Sequence, residues 1–151
     1  MSALARLAEL GLTLPAVVPP VAAYVPAVRT GNLVYTSGQL PMVAGVLPLT
    51  GKVGADVSPA QATDLARTCA LNALAAIDAL VGLDAVVRVV KVVGFVASVP
   101  GFTGQPGVVN GASELLGEVF GEAGRHARSA VGVAALPLDA PVEVELIVEV
   151  G

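Results

Sequence analysis

Cysteine and histidine occur once each in this 151-residue chain, as Cys69 and His126, and tryptophan is absent. A single thiol excludes an internal disulfide, and one thiol plus one imidazole among scattered carboxylates makes no zinc ligand sphere. With no Gly-x-Ser-x-Gly turn, the lone histidine composes no Ser/His/Asp arrangement either. There are only five aromatic residues, 2 Tyr and 3 Phe, and the eight basic residues form no run. Stacking of bases and tracking of phosphates therefore lack a platform, and the net charge of −4 points the same way: no nucleic-acid partner. Charged residues make up 13% of the chain and hydrophobic ones 55%. So little polar surface predicts extensive contact between subunits.

Mean hydropathy is high, yet no segment reads as a membrane span. The richest run, 86–99, carries Arg88 and Lys91, stops before Pro100 and is dominated by valine, as strands are. The first 12 residues set Arg6 and Glu9 inside an apolar pattern, which predicts a short helical arm rather than a signal peptide. A cytoplasmic protein without a membrane partner is expected. The length of 151 residues suits one domain over 1–151, with roughly 70% of its extended surface buried.

Pro15, Pro19, Pro20 and Pro26 predict an extended segment over 13–23. Strands are expected over Tyr24–Arg29 and Asn32–Ser37, turning through Thr30-Gly31, followed by a long connection over 41–58. Ser58-Pro59 is a helix start, and Ala62, Leu65, Ala66, Cys69, Ala73, Ile77 and Leu80 form an apolar stripe up to the stop at Gly82. Cys69 falls on that stripe and reads as a core residue. A central strand over 84–99 follows, in which alternation places Arg88 and Lys91 on opposite faces. The glycine-rich loop 100–107 lacks the lysine of a phosphate loop, but its length suits the border of a pocket. A second helix over 108–123 and strands over 127–135 and 142–150 complete an α+β layer: one mixed sheet with both helices on a single face. The other face is left for a second subunit.

Arg128 opens the otherwise apolar run Arg128-Ser-Ala-Val-Gly-Val-Ala-Ala-Leu-Pro. A guanidinium keeps its charge, so something anionic must face it. Fifteen residues later Glu143 begins Glu-Val-Glu-Leu-Ile-Val-Glu, on what the pattern reads as an adjoining strand. Two readings stay open. The pair is a salt bridge inside the sheet, or Arg128 grips a small carboxylate while Glu143 polarises a water or serves as a general base.

Two segments carry a family resemblance: Gly31-Asn-Leu-Val-Tyr-Thr-Ser-Gly-Gln-Leu-Pro41 and Ala127-Arg-Ser-Ala-Val-Gly-Val-Ala-Ala-Leu-Pro137, the latter followed by Val142-Glu-Val-Glu145. With Asn72-Ala-Leu-Ala-Ala-Ile and Val109-Asn110 in register, the chain from Tyr24 onward resembles the reactive intermediate deaminase (RidA/YjgF) family. Older usage calls the family L-PSP endoribonucleases. The resemblance implies a chorismate-mutase-like fold, a homotrimer whose sheets form a barrel, and ligand clefts between subunits. It also implies hydrolysis of 2-imino and 2-enamino acids to 2-oxo acids and ammonia, without cofactor or metal. The family's carboxylate-binding arginine falls on Arg128 and its water-holding glutamate on Glu143. Its substrate-contacting tyrosine, Ser-Gly pair and asparagine fall on Tyr24, on Ser37 and Gly38, and on Asn110.

Where many relatives carry a cysteine two residues after the arginine, this chain has Ala130. The loops 42–50 and 100–107 look longer than in short members, and the N-terminal arm is additional. His126 stands where proline is common, on the same face as Arg128 by alternation, either as a structural residue or at the pocket. The alternative to catalysis is a trimer that binds small carboxylates, or acts as a regulator, through the same clefts. Ribonuclease activity fits poorly with an acidic chain that lacks a pair of histidines.

Overall fold

Ser58 opens the long helix α2 (Pro59–Val81) with a capping box. Its hydroxyl accepts from the Gln61 amide at 3.1 Å, and Gln61 Oε1 accepts from the Ser58 amide at 3.0 Å. Gly82 stops the helix, as the sequence predicts. The computed structural model describes residues 1–20 and 22–151. Val21, inside the segment expected to be extended, lies outside the described residues, and 12–20 form no helix or strand.

The remaining elements are α1 (Ala3–Glu9), β1 (Ala27–Thr30), β2 (Leu33–Thr36), β3 (Val86–Ala97), α3 (Gln105–Phe120), β4 (Ala127–Val133) and β5 (Val142–Val150). They build one mixed sheet in the order β1-β2-β5-β3-β4, with β3 and β4 parallel and all other neighbours antiparallel. The crossovers from β2 to β3 and from β3 to β4 run in the same direction across the sheet. Right-handed connections then put α2 and α3 on one face. This is the expected α+β layer.

The core lies between that face and the helices. The sheet contributes Val34, Val89, Val92, Val96, Val144, Leu146 and Val148; α2 contributes Ala66, Cys69, Ala73 and Ile77; α3 contributes Val109, Ala112, Leu115 and Leu116. Cys69 is fully buried as expected, and burial pushes its thiol well above the usual range. Leu80, counted with the stripe from its spacing, is 45% exposed near the end of α2. The arm is helical, and its Leu7 is buried. Arg6 Nε donates to the Glu118 carbonyl at 2.8 Å, and the Leu4 amide donates to Asp84 Oδ1 at 3.1 Å. No helix among the described residues is long and apolar enough to cross a membrane.

Several boundaries differ from the sequence reading, each for a local reason. β1 begins after Pro26, which has no amide proton to give a ladder, so Tyr24 lies in a bend and Val25 outside any strand. The hairpin turns through Gly31-Asn32, because Thr30 pairs with Leu33. α3 starts at Gln105 and not at 108, since Pro106 suits a first helical turn; beyond Phe120 the chain tightens into a 3-10 turn over Gly121–Gly124. Register shifts against β5 fall between Val86 and Arg88 and between Val89 and Lys91. Arg88 and Lys91 then lie opposite Glu149 and Ile147, on the same open face, where strict alternation would have separated them.

Gly111 sets the distance between the helices. A Cβ there would overlap the backbone carbonyl of Thr63 in α2. Gly111→Ala is expected to destabilise the fold by about 3 kcal/mol, read as a lower denaturant midpoint at unchanged slope.

A divided candidate active site

Arg128 sits on edge strand β4, paired in register with Val92. Val92 is fully buried under the helices, so the Arg128 side chain rises on the helix-covered face, beside α3. Pro106, Asn110 and Ser113 occupy one stripe of α3 at i, i+4 and i+7 and meet it there. Arg128 Nη1 donates to Asn110 Oδ1 at 2.7 Å and to Ser113 Oγ at 3.2 Å, and Nη2 donates to the Pro106 carbonyl at 3.2 Å. These bonds use three of the five N–H groups of a guanidinium. The Nε proton and one Nη2 proton have no partner among the described residues. Nε and Nη2 form the edge of a guanidinium that a carboxylate takes in two places.

Glu143 is the second residue of β5 and points to the opposite face. It pairs with Phe95, three residues along β3 from Val92, with no register shift between them. Its carboxylate lies over Gly38, where any Cβ would overlap Glu143 Oε2. Ser37 is fixed by its hydroxyl, which donates to the Val25 carbonyl at 2.6 Å, and by its amide, which donates to the Pro26 carbonyl at 2.8 Å. Together with Tyr24, these residues border a cavity of about 360 Å3. Its apolar wall is built by Val18, Pro19, Pro20, Leu40, Met42 and Pro137, so the segment after α1 takes part. Burial, and then the nearby Glu145 charge, raise the Glu143 carboxyl above the ordinary glutamate range.

The expected candidates therefore fall into two groups. Tyr24, Ser37, Gly38 and Glu143 share the cavity; Arg128 and Asn110 share the α3 side. The sequence reading placed Arg128 and Glu143 on adjoining strands, but β3 runs between β4 and β5. Two strand spacings and three residues of rise separate their Cα atoms by about 14 Å, with side chains on opposite faces. No ion pair joins them, so an intrasheet salt bridge is excluded.

Ser113 and the Pro106 carbonyl were not singled out from the sequence. The signal was present in their helical spacing with Asn110, but the expected helix began too late to include Pro106. Asn72 was noted only as part of a motif. It is buried in α2 and donates through Nδ2 to the carbonyls of Leu40 and Met42, both at 3.0 Å, which ties the cavity wall to the helix. Among the described residues no group of three or more His, Cys, Asp and Glu could hold a metal ion.

The sequence model of the endoribonuclease L-PSP family matches residues 15–150. The chain belongs to this family, also called RidA/YjgF. Protein TCP17 of Trypanosoma cruzi is 48% identical over 149 residues, covering 96% of this chain and 92% of that protein. Among solved structures, Agrobacterium tumefaciens Atu1372, of unknown function, is 51% identical with TM-score 0.91, covering 99% and 92% of the two chains. The YjgF gene product of E. coli is 33% identical with TM-score 0.64, covering 91% and 94%. E. coli TdcF, solved with bound serine, is 29% identical with TM-score 0.60, covering 92% and 96%.

In this RidA/YjgF protein, α1 precedes the segment that the family model matches. Ala130, at the position of the family cysteine, pairs with Gly94 and lies on the same face as Arg128. β4 carries no thiol, and the one cysteine, Cys69, is buried in α2.

Proposed function

We propose that the site is completed by a second copy of the chain, in a homotrimer, and that it hydrolyses 2-imino acids to 2-oxo acids and ammonia. The observation that carries this reading is the division itself. Arg128 presents a free two-proton fork, and Glu143 lines a cavity that contains no cation of its own. Each half supplies what the other lacks. The open sheet face, where Val28, Tyr35 and Val131 are 52%, 41% and 43% exposed, offers apolar surface for a neighbouring copy. The serine bound to TdcF is a small amino acid, the kind of carboxylate such a fork accepts.

In the completed cleft, Arg128 and Asn110 of one copy hold the substrate carboxylate. Tyr24, Ser37, Gly38 and Glu143 of the next surround the imine. Glu143 takes a proton from water as its oxygen bonds to the carbon of the N-protonated imine, giving a neutral carbinolamine. The same carboxyl returns that proton to the nitrogen. The C–N bond then breaks, ammonia leaves, and the hydroxyl proton passes to Glu143 as the 2-oxo group forms. A raised carboxyl affinity for protons suits both halves of this exchange. Holding the water against a clamped substrate supplies proximity worth several kcal/mol.

The test generates an imino acid with an amino-acid oxidase or dehydratase and follows ammonia release with and without the protein. Faster release for alanine- to leucine-derived imines is expected, given the apolar wall. Retention of 2-oxo acids with no acceleration across that panel would replace hydrolysis by carboxylate binding alone.

A further inference from the structure

His126, the only imidazole in the chain, stands immediately before β4, with each ring nitrogen engaged. Nδ1 lies 2.6 Å from the Gly124 carbonyl, and Nε2 lies 2.8 Å from Ser113 Oγ. Ser113 Oγ is also the acceptor for Arg128 Nη1 at 3.2 Å. In a neutral ring, the chemistry of the two ends places every proton between them. A carbonyl only accepts, so Nδ1 carries the ring proton; a guanidinium only donates, so the Ser113 oxygen accepts from it. The Ser113 proton is then free to go to Nε2, which in a neutral ring with Nδ1 protonated is an acceptor. One tautomer and one hydroxyl orientation satisfy all three bonds. Arg88, Arg125 and Glu149 line the surface depression on the exposed side of the ring.

We propose that His126 and Ser113 are positioning residues for Arg128. The relay from Gly124 through His126 and Ser113 holds Nη1 on the α3 side, which turns Nε and Nη2 toward the substrate carboxylate. Asn110 and Pro106 fix the other two contacts, so the relay sets the last degree of freedom, the rotation of the guanidinium plane. This inference rests on the reading of Arg128 as the carboxylate clamp. Neither His126 nor Ser113 touches substrate. Both act through the arginine, and their loss weakens ground-state and transition-state binding alike.

The experiment combines nitrogen NMR of the single histidine with steady-state kinetics on the full chain. The free protein is expected to show the Nδ1–H tautomer, and titration with pyruvate to shift the Nε2 resonance. Ser113→Ala should abolish that shift and raise KM for an imino acid about tenfold, with kcat within about twofold. His126→Ala should do the same to KM. His126→Gln, whose Oε1 can accept from Ser113, should restore KM to near the wild-type value. An Nε2–H tautomer, an unchanged KM in Ser113→Ala, or equal KM in His126→Ala and His126→Gln overturns the relay while leaving the clamp intact. A wild-type protein that neither binds pyruvate nor releases ammonia overturns the clamp, and the relay's purpose with it; the tautomer is still read independently.

Discussion

A mixture of two inactive variants regains activity: Arg128→Ala and Glu143→Gln, each without imine turnover alone, recover roughly a quarter of the wild-type rate when refolded together in equal amounts. The expectation follows from the sheet order. With β3 between β4 and β5 and the two side chains on opposite faces, a single copy cannot bring its own Arg128 to its own Glu143. In the proposed ring of copies, each cleft would take Arg128 from one chain and Glu143 from its neighbour. Random assembly leaves half of the arginine donors and half of the glutamate donors intact, and the product of the two sets the recovered fraction. Assay of the whole refolded mixture reads that fraction, and in mixed trimers isolated by two affinity tags it rises to about a third. Rates no higher than either parent would mean that the two groups share no cleft, and the two-copy cleft would be abandoned.

Glu143→Gln has a second, opposite consequence. Its turnover should fall by about 10²–10⁴, the usual contribution of a positioned acid–base group. Its thermal midpoint should nevertheless rise at neutral pH. Burial and Glu145 make the ionised Glu143 unfavourable, so its folded-state affinity for a proton exceeds that of an ordinary glutamate. Below the ordinary glutamate range both folded and unfolded chains are protonated, and no penalty applies. As pH climbs through the window up to the raised folded value, the native protein loses stability; above it the penalty is complete. Glutamine carries no charge, so the gain in midpoint should be full at neutral pH and vanish below the ordinary glutamate range. The wild-type acid limb of kcat/KM should lie above that of an unperturbed glutamate, because the base works only when ionised. Parallel melting of both proteins from acidic to neutral pH measures the difference directly. A constant offset across the whole range would assign it to packing instead of charge.

The element order and the side of the sheet that takes the helices were legible because valine alternation, the Ser58-Pro59 start and Gly82 are local signals. Arg128 and Glu143 stood out for a similar reason: charges in apolar strands need partners. Their geometry did not follow from the same signals. Consecutive strands β4 and β5 invite pairing, yet β3 takes the place between them, a choice made by two crossovers spanning most of the chain. The bulges in β3 were equally hidden, since alternation carries no mark of an extra residue. Ser113 escaped notice because its role depends on where α3 lies against β4, a tertiary fact. The motif resemblance assigned roles to Tyr24, Ser37, Gly38 and Asn110 that periodicity alone could not, and the fold places these residues beside Glu143 or Arg128.

The anchoring of α1 bears on how the chain acquires its shape during synthesis. Its partners, Asp84 and the carbonyl of Glu118, lie far along the chain. A seven-residue helix holds no stable form in isolation. During synthesis α1 must therefore wait, unstructured, until α3 has been made and packed. The arm closes the fold after the elements it docks on are in place.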